Sequence, residues 1–180
     1  MIVTITMNPA IDKSTAVEAL IPDKKLRCNE VLSEAGGGGI NISKAIKKLG
    51  GDTICLFPSG GLNGKLLEEY LTRDKISYRT IPIQQNIRES FTVNENHTEK
   101  QYRFVLPGPE LSEDEIDACV DTLTKLDQKP SYIIASGSLP AGAPEDFFGK
   151  LAGISKQLNA RFIIDSSGKP LQIAAKEGVY

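Results

Sequence analysis

Four short, nearly unbroken apolar runs constrain this chain more than any other feature. They are IVTITM at residues 2–7, TICLF at 53–57, YIIAS at 132–136 and RFIID at 161–165. Continuous apolarity over a strand's length suits a strand covered on both faces. Between the runs lie stretches with helical spacing. Ile42, Ala45, Ile46 and Leu49 recur at i, i+3, i+4 and i+7, and the pattern stops at Gly50-Gly51. A second helix is expected to turn Leu66, Leu67, Tyr70 and Leu71 inward. A third opens on a capping box, Ser112 to Glu115. A fourth starts at Pro144 and carries Phe147, Phe148, Leu151, Ile154 and Leu158. Strand alternating with helix predicts an α/β fold, a mostly parallel sheet flanked by helices with right-handed crossovers.

Two segments break the pattern. RESFTVNENHTEKQYRFVLPG alternates with period two on both sides of a polar turn, which predicts an antiparallel hairpin. Residues 23–34, DKKLRCNEVLSE, also read as strand. The expected organisation is therefore a core of residues 1–22, 35–86 and 109–180, with a small β lid of residues 23–34 and 87–108 inserted in it.

Charge and cysteine content exclude several function classes. Lys and Arg number 21 against 23 Asp and Glu, which makes no electrostatic case for nucleic acid or an anionic membrane. The apolar N-terminus lacks a basic n-region and meets Asn8, Pro9 and Asp12 too early for a signal peptide. Cys28, Cys55 and Cys119 are far apart and odd in number, so no zinc site or disulfide framework is expected, and a reducing cytoplasm is the default location. His97, the one histidine, sits in the hairpin turn with no Ser-His-Asp arrangement to join.

Parallel sheets take ligands outside the carboxyl ends of their strands. The polar segments leaving those ends are NPAID, PSGG, SGSLP and DSSG, with the run Gly36-Gly37-Gly38-Gly39 nearby, leading into a helix. The run is not a P-loop elsewhere displaced: at Gly64-Lys65, Ser59 takes the place of the required glycine and Leu66 that of the hydroxyl residue. Nor is it a dinucleotide fingerprint, since the last glycine position falls on Asn41 or Ile42. What remains is a loop without side chains that delivers Asn41 in the first helical turn. Glycine lets backbone amides approach a ligand closely, and a carboxamide both donates and accepts, a pairing suited to a polyol. A flexible linker ending at a helix cap is the other reading of the same residues.

Taken in order, MNPAID, GGGGINISKAIKKLGG followed by PSGG, GKLLEEYL, QYRFVLPG, SGSLP and DSSG resemble the PfkB family of carbohydrate kinases, in the ribokinase-like superfamily, over essentially the whole chain. The 6-phosphofructokinase branch is the most similar. Relatives acting on tagatose 6-phosphate or fructose 1-phosphate carry lysine within the glycine run, where this chain has Gly38. The resemblance implies ATP-dependent phosphorylation of a sugar phosphate, most simply fructose 6-phosphate to fructose 1,6-bisphosphate. Tagatose-6-phosphate kinase and 1-phosphofructokinase are the alternatives, and a non-catalytic sugar-phosphate-binding or assembly module is the alternative of another class.

The resemblance also implies roles for residues. Asp12, Gly37, Gly38 and Asn41 would hold the sugar, and Ser138 would line the same pocket. Arg88, Arg103, Lys25 and Arg27 would meet its phosphate, since guanidinium matches phosphate oxygens bidentately. Asp165 would join a magnesium–water network. Read without the resemblance, these are a loop cap, solvated charges, a turn serine and a second cap. The family's catalytic base lies in a G-A-G-D motif that is absent here, and its N-x-x-E motif, expected on the strand after PLQIAAKEG, is not reached. The chain is thus expected to be the acceptor-binding half of a kinase that uses ATP and Mg2+, to bind no metal or nucleotide firmly by itself, to show no turnover alone, and to pair as a homodimer through the lid.

Overall fold

The structure is a computed structural model and describes residues 1–179. In chain order the elements are β1 (Ile2–Ile5), β2 (Ala10–Val17), β3 (Leu32–Gly36), α1 (Gly38–Lys48), β4 (Thr53–Ser59), α2 (Gly61–Arg73), β5 (Ser77–Pro82), β6 (Arg88–Glu95), β7 (Lys100–Val105), α3 (Glu113–Thr124), β8 (Tyr132–Ser136), α4 (Phe147–Gln157), β9 (Arg161–Asp165) and α5 (Gly168–Lys176). The four apolar runs become β1, β4, β8 and β9. With β5 they form an all-parallel sheet in the order β5-β4-β1-β8-β9.

Side-chain alternation along these strands sorts the core into two layers. Val3, Ile5, Leu56 and Ile133 face α3 and α4, where they meet Ile116, Phe147, Phe148 and Leu151. Phe57 and Cys55 face the other way, toward Ile40, Leu67 and Leu71. The expected inward face of α2 is found, with Leu67 and Leu71 fully buried and Leu66 and Tyr70 packed beside them. The capping box at Ser112 is complete, with Ser112 Oγ accepting from the Glu115 amide and Glu115 accepting from the Ser112 amide. Among the described residues no helix is long and apolar enough to cross a membrane.

The inward face of α1 differs from its periodicity. Leu49 is 87 % exposed and Ala45 lies open, whereas Gly39, Ile40 and Ser43 are buried. The glycines bring the start of α1 down onto the sheet. Ser43 then meets a polar patch, its hydroxyl bonded to Thr4 Oγ1 and Thr53 Oγ1 at 2.7 Å each. α1 ends as the Gly50-Gly51 signal predicts: Gly50, at φ 84, donates to Lys47 O and Gly51 to Ile46 O. α4 starts three residues after Pro144, which closes a preceding turn by accepting from the Phe147 amide.

The second sheet, in the order β3-β2-β6-β7, holds the expected antiparallel hairpin as β6 and β7. Its other half departs from the sequence reading. Residues 10–17, placed with the core and assigned no strand, with residues 8–12 read as a polar segment leaving the first strand, form β2, parallel to β6 and antiparallel to β3. Ile11, Thr15 and Val17 are buried on one side, and Asp12 and Ser14 face the other, an alternation hidden by the charged pair Asp12-Lys13. Residues 23–34 are strand only from Leu32. Asp23, following Pro22, adopts the left-handed φ of 59 and turns the chain, so residues 23–31 form an exposed strap with no ladder of their own.

Candidate functional site

A cavity of about 550 Å3 opens between the small sheet and the start of α1. Its walls come from alternate positions of the strands. Asp12 on β2 stands opposite Glu34 on β3 and Ser90 on β6, and Thr92 on β6 stands opposite Arg103 on β7. Since side chains two apart in a strand share a face, Asp12 and Ser14, Arg88, Ser90 and Thr92, and Gln101 and Arg103 all line it. Gly37, Gly38 and Asn41 close the end formed by α1.

Each glycine of the run is required by a close neighbour. A Cβ on Gly36 would come 2.1 Å from Asp12 Oδ2, so the absence of a side chain there makes room for the carboxylate. A Cβ on Gly38 would fall 2.1 Å from Ser136 Oγ, and one on Gly39 2.6 Å from Ile5 O. The run is therefore a seat on β1, β2 and β8 rather than a flexible linker.

Charge in the cavity is mixed. Asp12 is open to the cavity, yet the surrounding walls desolvate it and raise its carboxyl above the ordinary 3.8; Arg88, the Ser90 hydroxyl, Lys44 and Arg103 oppose that rise without cancelling it. Desolvation lowers Arg88 while the Asp12 carboxylate holds it up, and its guanidinium stays protonated throughout. Arg88 Nη2 donates to Asn8 O at 3.2 Å, and its Nε is buried with no acceptor among the described residues.

Of the residues singled out in the sequence, Asp12, Gly37, Gly38, Asn41, Arg88 and Arg103 come together around this cavity. Lys25 and Arg27 ride on the exposed strap and do not line it. Ser138 lies outside the lining and accepts from Asn8 Nδ2 at 3.2 Å. Asp165 ends β9 and accepts from Ser136 Oγ at 2.8 Å, which places it one residue's contact away from Gly38. Sequence reasoning missed Glu34 and Ser90, which line the cavity, and Lys44, which lies outside the lining, donates to Ala35 O at 2.6 Å and acts on Asp12 by its charge. Ser90 was within reach by period two from Arg88, and Lys44 by the helical i+3 step from Asn41; Glu34 needed the β2–β3 register.

A carboxylate, two guanidiniums, a carboxamide and side-chain-free backbone in one cavity can orient hydroxyls and neutralise an anionic group on the same small molecule. Among the described residues no three His, Cys, Asp or Glu side chains gather as a metal site, and Asp165 has only a serine as hydrogen-bonded side-chain partner.

The model of the pfkB family carbohydrate kinases matches residues 1–178. The ATP-dependent 6-phosphofructokinase isozyme 2 of Mycobacterium tuberculosis is 44 % identical over 171 residues, covering 95 % of this chain and 50 % of that protein. The protein of the same name from Escherichia coli is 34 % identical over 177 residues, covering 98 % and 57 %. The crystal structure of the phosphofructokinase-2 from Escherichia coli in complex with fructose-6-phosphate superposes with a TM-score of 0.92 over 98 % of this chain and 58 % of that one. The chain thus spans about half the length of the curated relatives it matches.

Proposed function

Because the chain belongs to the pfkB family of carbohydrate kinases, we propose that it forms the acceptor side of an ATP-dependent sugar-phosphate kinase, with fructose 6-phosphate as the acceptor. The observation that carries this reading is the meeting of Asp12 with Arg88 and Arg103 around one cavity. A sugar without a phosphate gives two guanidiniums nothing to neutralise, and a phosphate without a polyol leaves Asp12 facing an anion. A sugar phosphate satisfies both.

In this reading Arg88 and Arg103 hold the resident phosphate, and Asp12 accepts hydrogen bonds from two sugar hydroxyls. Asn41 and the amides of Gly37 and Gly38 fix the end of the sugar nearest α1. That orientation is what the chain's own residues supply toward phosphoryl transfer, since positioning is the larger part of this chemistry. ATP with Mg2+ supplies the phosphoryl group when bound. The described residues of this chain do not assemble a metal site.

Calorimetry tests the proposal, with fructose 6-phosphate, fructose 1-phosphate, tagatose 6-phosphate and ATP titrated separately. Fructose 6-phosphate is expected to bind most tightly, with no heat from ATP alone. Tighter binding of another sugar phosphate would transfer the assignment to it. Absence of binding by all three would favour an assembly module.

A further inference from the structure

α1 starts without the side chain that usually closes a helix's first turn. Its N-cap is Gly37, at φ 129 and ψ 144, which has nothing to offer the amides ahead of it. The first amides of a helix have no internal acceptor, and an N-cap hydroxyl or carboxylate ordinarily takes the one at the second or third helical position. Here the third-position amide belongs to Ile40, and it donates to Thr6 Oγ1 at 3.0 Å. Thr6 is 34 residues earlier, just past β1, and almost fully buried.

The same threonine shapes the backbone beside it. A Cβ on Gly37 would come 2.5 Å from Thr6 Cγ2, and one on Gly39 2.8 Å from Thr6 Oγ1. Residues 37–40 therefore rest on the end of β1, with Thr6 setting their distance and their register. Gly37, Gly38 and Asn41, all cavity-lining, lie within three residues of the bonded amide.

We propose that Thr6 is a positioning residue for the acceptor site: its hydroxyl, capping α1 from just past the end of β1, holds Gly37, Gly38 and Asn41 at the sugar. This rests on the sugar-phosphate reading above. The capping threonine lies outside the element it caps, which lets the N-cap itself stay glycine.

The test compares the full chain with its Thr6→Val and Thr6→Ser variants, using fructose 6-phosphate calorimetry, melting curves, and NMR exchange of the Ile40 amide. Valine keeps the methyl against Gly37 and removes the acceptor; serine does the reverse. Thr6→Val is expected to expose the Ile40 amide to exchange and to weaken sugar-phosphate binding about ten-fold, with Thr6→Ser within about two-fold of wild type. Thr4→Val serves as control. Thr4 pairs with Ser43 beneath the middle of α1, so its loss lowers the melting temperature and leaves affinity unchanged. Should Thr6→Val not fold, Thr6→Ala, which removes the acceptor, replaces it under the same criteria, with Thr6→Ser reporting the loss of the methyl alone. Wild-type affinity in Thr6→Val, or equal weakening in Thr4→Val, overturns the proposal while the sugar-phosphate reading stands. Absence of binding by the wild type overturns that reading, and this one with it.

Discussion

Asp12 and Gly36 act as one unit: the carboxylate occupies the space a β-carbon on Gly36 would fill. Gly36→Ala is therefore expected to turn the carboxylate away and weaken fructose 6-phosphate binding nearly as much as Asp12→Asn does. Losing hydrogen bonds to a charged group costs about 1.5–3 kcal/mol, roughly 10- to 150-fold in Kd, and calorimetry reads it. The two variants part in stability. A carboxyl raised above 3.8 in the fold keeps its proton more tightly there than in the unfolded chain, so Asp12 subtracts stability as pH rises through the window above 3.8. Asp12→Asn is expected to melt no lower than wild type at neutral pH, and a clear drop in its melting temperature would contradict this. How the site was legible follows the same division. Asn41 was legible from the glycine run that delivers it, whereas Asp12, Arg88 and Arg103 stood out through the family resemblance, as did Lys25 and Arg27, which do not line the cavity. Glu34 became a wall of the cavity only through its register opposite Asp12, which no local pattern announces.

Elements were legible where their signals are local. The capping box of α3 needs only four residues, and Ser112→Ala is expected to cost ~1 kcal/mol, a melting-temperature loss of about 2–4 °C. The segment of residues 18–31, which leads into and includes the strap, is tied by contacts far along the chain. Glu95, buried at the end of β6, accepts from the Leu20 amide at 2.6 Å and from Thr98 and Tyr102. The Thr98 hydroxyl first, then the Leu20 amide, hold its carboxyl below the ordinary 4.5. A lowered carboxyl stabilises the fold above the unfolded value, and that contribution disappears as pH falls below 4.5. Amide protection across residues 18–31, taken relative to the intrinsic exchange rate at each pH, is thus expected to fall below pH 4.5 and to be low at neutral pH in Glu95→Gln. Unchanged exchange in that variant would show that the strap is held by other means. β2 escaped the sequence reading because its buried alternation runs through Asp12 and Lys13, whose charges resemble a loop's until β3 and β6 flank them.

At the scale of the molecule, the small sheet ends in two exposed edges, β3 and β7, and carries exposed apolar side chains there: Val31, Leu32, Phe104, Val105 and Leu106. Unpaired edges with apolar flanks favour association, and we propose a homodimer through this sheet. Sedimentation velocity is expected to show a dimer that Leu32→Lys combined with Leu106→Lys converts to monomer; a wild-type chain sedimenting as monomer at all concentrations would remove the proposal. The sequence alone determined the alternation of buried strands and helices, hence the parallel α/β core, because burial periodicity and helix ends are written within a few residues of one another. Tertiary structure alone decided which strands joined the second sheet, which side of α1 went inward, and that Thr6, Ser136 and Asp12 each press against a different glycine of one run. Those outcomes depend on contacts between residues dozens of positions apart, and such contacts leave no periodic trace in the chain that makes them.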